Sequence, residues 1–273
     1  MYITNDLPVA LIAQKYGVDR VWIDLETLGK EERQKNRDSV KSHHTVEDIR
    51  VIAPKLTTSE MMVRINRWNE KSAEEINKVV DAGAEIIMLP YWKTVSEVEK
   101  FLEAVNGRCK TSLLLETKEA DKCLDDVLGL TGIHEIHIGL NDLHLSYNLT
   151  FMFELLTNGT VERLCRKIAA ADIPYGFGGI AKIGAGAVSA ERIILEHYRL
   201  GSTRAILSRS FCDYRKLQSA EEAEDLFREN IRALRRFEEY AAAAADELRN
   251  KNKEALNRDV ADIVRKIKNK GGQ

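Results

Sequence analysis

"HEIHIGLNDLHL" occupies His134 to Leu145. It reads as a short apolar strand, Ile136 to Ile138, that breaks at Gly139 and at once presents Asn141 and Asp142. A single acidic residue after a strand is often only a helix cap. What gives this one meaning is whether other strands end the same way, so that their tips converge.

Outward from this stretch, short β-rich apolar runs alternate with helical patterns. Toward the N-terminus lie a weak strand near Met1 to Thr4, "RVWID" (20–24), "MMVRIN" (61–66), "EIIML" (85–89, stopped by Pro90) and "TSLLLE" (111–116). Toward the C-terminus lie "IPYGFGG" (173–179) and "RAILS" (204–208). Helical patterns separate them: "LPVALIAQKYG" closed by Gly17, "SAEEINKVVDAG" closed by Gly83, "TVSEVEKFLEAVNG", a helix after Thr117, Val161 to Ala171, and "SAERIILEHYRLG". Eight strands with helices between them predict parallel βαβ units. The 273 residues match the ~250 typical of a closed (β/α)8 TIM barrel. No G-x-G-x-x-G follows the first strand, which argues against an open dinucleotide-binding sheet.

From Ser219 the chain reads as helix, with neither Pro nor Gly before Gly271. Phe227, Ile231, Leu234 and Phe237 make one apolar stripe; Leu256, Val260, Ile263, Val264 and Ile267 make a second. The expected organisation is a barrel domain over 1–240 and a C-terminal helical extension over 241–273, whose stripe packs on its own barrel or on a neighbouring subunit. A polar stretch, "GKEERQKNRDSVKSHH" (29–44), is too long for a simple turn and is expected to belong to the active-site end.

Composition narrows the function. Hydrophobic residues are 44% and charged residues 31%, ordinary for a soluble globular enzyme. A formal net charge of -2 gives no case for nucleic acid or membrane. Cys109, Cys123, Cys165 and Cys212 are widely spaced, with no CxxC pair, so reduced thiols in a cytoplasmic protein are expected. No signal-peptide pattern opens the chain, and no apolar run approaches the ~20 residues of a membrane span.

In a barrel, reactive groups sit at the C-terminal ends of the strands. Here the second strand ends in Asp24 and Glu26, the third carries Arg64, the fifth ends in Glu116 and the sixth in Asn141–Asp142. The seventh opens into Gly176, Gly178 and Gly179, and the eighth ends in Ser208, Arg209 and Ser210. Each alone has an ordinary structural explanation; one ring collecting them does not. Two carboxylates on adjacent strands, Glu116 and Asp142, suit a hard divalent cation, Mg²⁺ first, which takes one or two carboxylates plus water and substrate oxygens. Arg64 can grip a substrate carboxylate with its bidentate fork. A cation acting as Lewis acid beside such an arginine is what stabilising a 2-oxo acid enolate requires.

"VWIDLE", "MVRIN", "DAGAEIIMLP", "LLLETKEA" and "IGLNDL" occur in order, and together they resemble the HpcH/HpaI aldolase/citrate lyase family of metal-dependent class II pyruvate aldolases and citrate lyase β-chains, over roughly Asp19 to Ser208. The resemblance implies a phosphoenolpyruvate/pyruvate-type barrel. By position, Glu116 and Asp142 would bind Mg²⁺ (or Mn²⁺ or Co²⁺), Arg64 would hold the carboxylate or enolate oxygen, and the backbone N–H groups of Asn141 and Asp142 would contact the 2-oxo acid. Asp24 and Glu26 belong to the same rim. The sequence departs from the aldolase pattern at Thr27, where those enzymes carry a proton-transferring His, and at Leu114, where they carry a Gln. His44 or His43 in the following loop is then the candidate acid/base.

The implied activity is a carbon–carbon lyase: aldol cleavage or condensation between a pyruvate-like enolate and an aldehyde. A citrate-lyase-like enzyme acting on an acyl-CoA of malyl-CoA type, and a non-catalytic barrel retaining metal binding, are the alternatives. The resemblance also implies a homo-oligomer, trimeric or hexameric. His134, His144 and His197 show no partner in the sequence, and His137 reads as a core residue. Trp22, Trp68 and Trp92 read as core or interface, with Trp92 placed to wall a pocket.

Overall fold

Each expected strand forms, and each pairs in parallel with the next. The computed structural model describes residues 1–29, 43–208, 211 and 219–271. Its strands are β1 (Tyr2–Ile3), β2 (Arg20–Asp24), β3 (Glu60–Arg64), β4 (Ile86–Leu89), β5 (Lys110–Leu115), β6 (Glu135–Ile138), β7 (Tyr175–Ile180) and β8 (Arg204–Leu207). They hydrogen-bond in chain order, and the Leu207 N–H donates to Met1 O at 2.8 Å, bringing β8 back beside β1. The result is a nearly closed (β/α)8 TIM barrel.

The helices are α1 (Leu7–Lys15), α2 (Val46–Ile52), α3 (Ser72–Asp81), α4 (Val95–Val105), α5 (Lys118–Lys122), α6 (Leu124–Leu128), α7 (Leu140–Ser146), α8 (Glu154–Thr157), α9 (Thr160–Ala170) and α10 (Ala190–Arg199), followed by α11 (Ala220–Ala243) and α12 (Asp246–Gly271). Their starts are written locally. Asp6 accepts from the Val9 N–H at the head of α1, and Thr45 with Asp48 and Thr94 with Glu97 close capping boxes on α2 and α4. No helix among the described residues is long and apolar enough to cross a membrane.

Alternation along each strand separates two faces. Outward residues such as Val21, Val63, Leu113 and Phe177 pack with the helices in one large core. Inward residues Trp22, Met62, Ile86, Met88 and Leu114 form a separate cluster inside the barrel. Strand register extends that inner face. Asp24 pairs with Arg64, Arg64 with Met88, Met88 with Ser112 and Ser112 with Glu135; Leu114 pairs with His137 and His137 with Gly176. At the N-terminal end of the barrel Glu135 lies 2.7 Å from Arg20 and 2.9 Å from Arg204. A cavity of about 440 Å³ there is lined by Arg20 and Arg204 together with Glu60 and Arg235, at the end that serves stability in barrels.

Most of the apolar stripe of α12 packs on this chain itself, while Ile267 stays exposed. Leu256 and Val260 are fully buried. Lys253 reaches Glu162 of α9 at 2.8 Å, Asn252 donates to Arg192 O at 3.0 Å, and Arg192 pairs with Asp259. The break between α11 and α12 falls in an alanine run with no Pro or Gly, where Ala244 turns to ψ 131. Arg249 folds back to donate to Ala242 O at 3.2 Å, capping the end of α11.

Candidate active site

The centre of the C-terminal mouth is Arg64, the last residue of β3. Its neighbour in register is Asp24, the last residue of β2. The pair is bidentate: Nε to Oδ1 at 2.9 Å and Nη2 to Oδ2 at 2.9 Å. Nη2 also lies 3.4 Å from Glu26 Oε2, and the guanidinium stands 5.3 Å over the Trp22 ring. Burial works against the arginine's charge, but Asp24, Glu26 and, behind them, Glu116 outweigh it and hold its pKa above the usual arginine range. Two of the three guanidinium nitrogens, Nε and Nη2, are therefore engaged by side chains.

Glu116 follows β5 directly and is 3% exposed. Its Oε1 accepts from the Tyr91 N–H at 3.0 Å. Tyr91, just past β4, takes the left-handed conformation at φ 52, which aims that N–H at the carboxylate. On the other side sits Gly139, the residue after β6. A Cβ there would lie 3.0 Å from both Cβ and Oε2 of Glu116, so the carboxylate occupies space that only glycine leaves. Asp142 lies three residues further on, half-buried in the first turn of α7, beside exposed Asn141. The sequence thus brings its two proposed metal ligands to neighbouring strand ends.

The donor set fits a hard cation. Asp24, Glu26 and Glu116 are each 3% exposed, and Arg64 is the guanidinium set among them. Buried carboxylates call for positive charge. No three His, Cys, Asp or Glu side chains are grouped as a metal cage among the described residues. A cation here would rest on Glu116 and Asp142, the carboxylate count Mg²⁺ accepts alongside water and substrate oxygens.

His44 reaches the same corner. Its Nδ1 accepts from the Asp24 N–H at 2.9 Å, so the neutral ring carries its proton on Nε2. His43 is exposed. Thr27, at the position of the aldolase histidine, is tied down instead: Asn66 Oδ1 accepts from the Thr27 and Leu28 N–H groups, both at 2.9 Å, and from the Thr27 hydroxyl at 3.2 Å. A cavity of about 510 Å³ opens beside these loops, lined by Leu25, Thr27, His44 and Asn66.

Trp92 is fully buried in the outer core and does not wall the mouth. Of the eighth strand's expected rim, Ser208 is described and Arg209 and Ser210 lie outside the described residues, as do Cys212 and residues 30–42 of the polar loop. Tyr91 and Asn66 were not singled out by the sequence reading. Asn66 sits in the quoted "VRIN", so an amide following the arginine was a readable signal; nothing local marks Tyr91.

The profile of the HpcH/HpaI aldolase/citrate lyase family matches residues 4–152, just over half of the chain. No curated protein matches it. Among solved structures, an HpcH/HpaI aldolase from Desulfitobacterium hafniense DCB-2 is similar with a TM-score of 0.60 at 15% identity, over 76% of this chain and 84% of that one. The citrate synthase SbnG is similar with a TM-score of 0.59 at 17% identity, over 82% and 91%. A citrate lyase from Burkholderia xenovorans LB400 is similar with a TM-score of 0.57 at 14% identity, over 94% and 89%. At such identities the structural likenesses show the fold.

Proposed function

The chain belongs to the HpcH/HpaI aldolase/citrate lyase family, and on that premise we propose that it is a metal-dependent carbon–carbon lyase, cleaving or forming an aldol bond between a 2-oxo acid of pyruvate type and an aldehyde. The observation that carries this reading is the ring of three buried carboxylates around Arg64, with Asp142 on the adjoining strand end. Bound by Glu116 and Asp142, Mg²⁺ would supply Lewis-acid polarisation of the 2-oxo group.

This chain's own residues do the rest. Arg64, locked by Asp24, offers Nη1 to the substrate carboxylate or enolate oxygen. N–H groups in the first turn of a helix point out of its N-terminal end, so those of Asn141 and Asp142 would meet the same carboxylate. Glu26 shares the guanidinium and limits its rotation. His44 is the proton-transfer group in this reading; it can take a proton at Nδ1 only after releasing the Asp24 N–H.

Exchange of the methyl protons of pyruvate in D₂O tests this, because enolisation needs no aldehyde. NMR is expected to show Mg²⁺-dependent deuteration, abolished by a chelator and by Glu116→Ala. Persistence in the His43→Ala/His44→Ala variant removes the loop histidines from the role. A metal-loaded wild type that never exchanges overturns pyruvate as the donor; an acyl-CoA thioester is the next substrate to assay, and metal binding with no turnover would mark a non-catalytic barrel.

A further inference from the structure

Barrel interiors are normally filled by apolar side chains, and Met62, Ile86, Met88 and Leu114 follow that rule here. His137 breaks it. It sits on β6 in register with Leu114 and Gly176, hence on the inner face, and is 1% exposed. Its Nε2 lies 3.0 Å from Gly178 O, while Nδ1 meets no partner. A neutral imidazole has one N–H and a carbonyl oxygen only accepts, so the proton is on Nε2 and is donated to Gly178. Burial keeps the ring neutral, with its pKa pulled down to about 3. A leucine would fill the same volume with no polar atom to bury.

What this bond holds is an irregularity within β7. Gly178 has φ +52, and the β7–β8 register shifts between Gly176 and Gly179. A Cβ at Gly178 would lie 2.7 Å from Leu140 Cδ1, so the strand backbone there is packed directly on the first residue of α7. Asn141 and Asp142 come next in that helix. Contacts therefore run from His137 to Gly178, from Gly178 to Leu140, and along α7 to Asp142 at the mouth.

We propose that His137 is a positioning residue: by holding Gly178 O it fixes the irregular stretch of β7 on which Leu140 rests, and so sets the first turn of α7, which carries Asp142. It touches no reactant. The functional consequence rests on the cation reading of Glu116 and Asp142; the positional claim rests on the contacts alone.

Three variants and two readouts test it. His137→Leu removes the donor at similar volume. His137→Gln keeps an N–H near the Nε2 position. His137→Asn places its amide near Nδ1, leaving Gly178 O unbonded, and serves if the leucine variant does not fold. The readouts are amide hydrogen exchange over residues 139–146 and Mn²⁺ binding followed by water-proton relaxation. Leucine and asparagine are expected to speed exchange in 139–146 relative to β2–β4 and to weaken Mn²⁺ binding roughly tenfold, with glutamine restoring both. Unchanged exchange over 139–146 in the leucine or asparagine variant, with only a lower Tm, overturns the proposal. A wild type that binds no Mn²⁺ sinks the cation reading, while the exchange comparison still decides the role of His137.

Discussion

Arg64 and Asp24 meet edge to edge at the ends of adjacent strands, with both contacts at 2.9 Å. The arginine fork is thus already matched to a carboxylate before any substrate arrives, and its orientation depends on that match. Lysine keeps the charge and loses the plane. Arg64→Lys is expected to lower kcat/KM on the order of 10²-fold, nearly as far as Arg64→Ala, because misplacement of about 1 Å at a reacting centre costs that much. Steady-state kinetics on both variants checks this; a lysine variant near wild type would make Arg64 a simple point charge.

Asp24→Asn attacks the same pair from the other side. Removing one partner of a buried pair costs about 3–5 kcal/mol, since the remaining charge has no water to turn to. Glu26 stays within reach of Nη2, so the loss is expected at the low end of that range. Urea unfolding of Asp24→Asn beside wild type reads it directly, and a change within error would mean that Glu26 replaces Asp24 fully.

The C-terminal helix carries an acid-sensitive clasp. Hydrogen bonds from Lys253 and then Arg199 hold the Glu162 carboxyl down to about 2, against a smaller opposing effect of burial. A carboxylate lowered on folding adds stability above its ordinary pKa and loses it as pH falls through the lowered one. The contribution is therefore complete above pH 4.5 and lost between 4.5 and about 2. Glu162→Gln is expected to lower Tm at pH 7 and to flatten the fall of Tm below pH 4.5. Parallel melting curves for wild type and variant would sink the clasp.

Deleting the chain after Ala245 removes Leu256 and Val260 from the surface of α10 and α8. Full burial of such side chains is worth roughly 1.5–3 kcal/mol each, and in a domain of this size each kcal/mol moves Tm by about 2–4 °C. A fall in Tm on the order of 10 °C is expected, with exposed apolar surface reducing solubility. An unchanged Tm would show that α12 is an independent tail.

Much of this was legible because it is local. Eight apolar runs gave eight strands, and polar residues at their ends gave Asp24, Arg64, Glu116 and Asp142 at one mouth. The chemistry between those residues was not local. That Arg64 spends its fork on Asp24 follows from strand register, which no spacing within either strand encodes. The left-handed Tyr91 donates to Glu116 only because β4 and β5 end side by side, and its neighbours in sequence do not announce φ 52. The helix break at Ala244 has no Pro or Gly to mark it; Arg249 from the following helix caps it.

Gly139 links the legible and the hidden parts of the site. In sequence it ends a strand; in the barrel it leaves the space that Glu116 fills. Adding a Cβ would place carbon 3.0 Å from Glu116 Cβ and Oε2 and 3.2 Å from Leu114 Cδ1. Oε2 is the far end of a side chain and moves more easily than the strand, so the carboxylate gives way first. Oε1 is held by the Tyr91 N–H, so the shift falls on Oε2, the oxygen facing Gly139. Gly139→Ala is therefore expected to weaken divalent-cation binding and pyruvate proton exchange by about 10–100-fold, while Tm stays within a few degrees, since the strained contact lies at the rim rather than in the packed core. Isothermal titration with Mn²⁺ beside a thermal melt separates the two effects. A large fall in Tm with normal Mn²⁺ affinity would mean that the backbone moved and the carboxylate did not, and Gly139 would then serve the strand rather than the site.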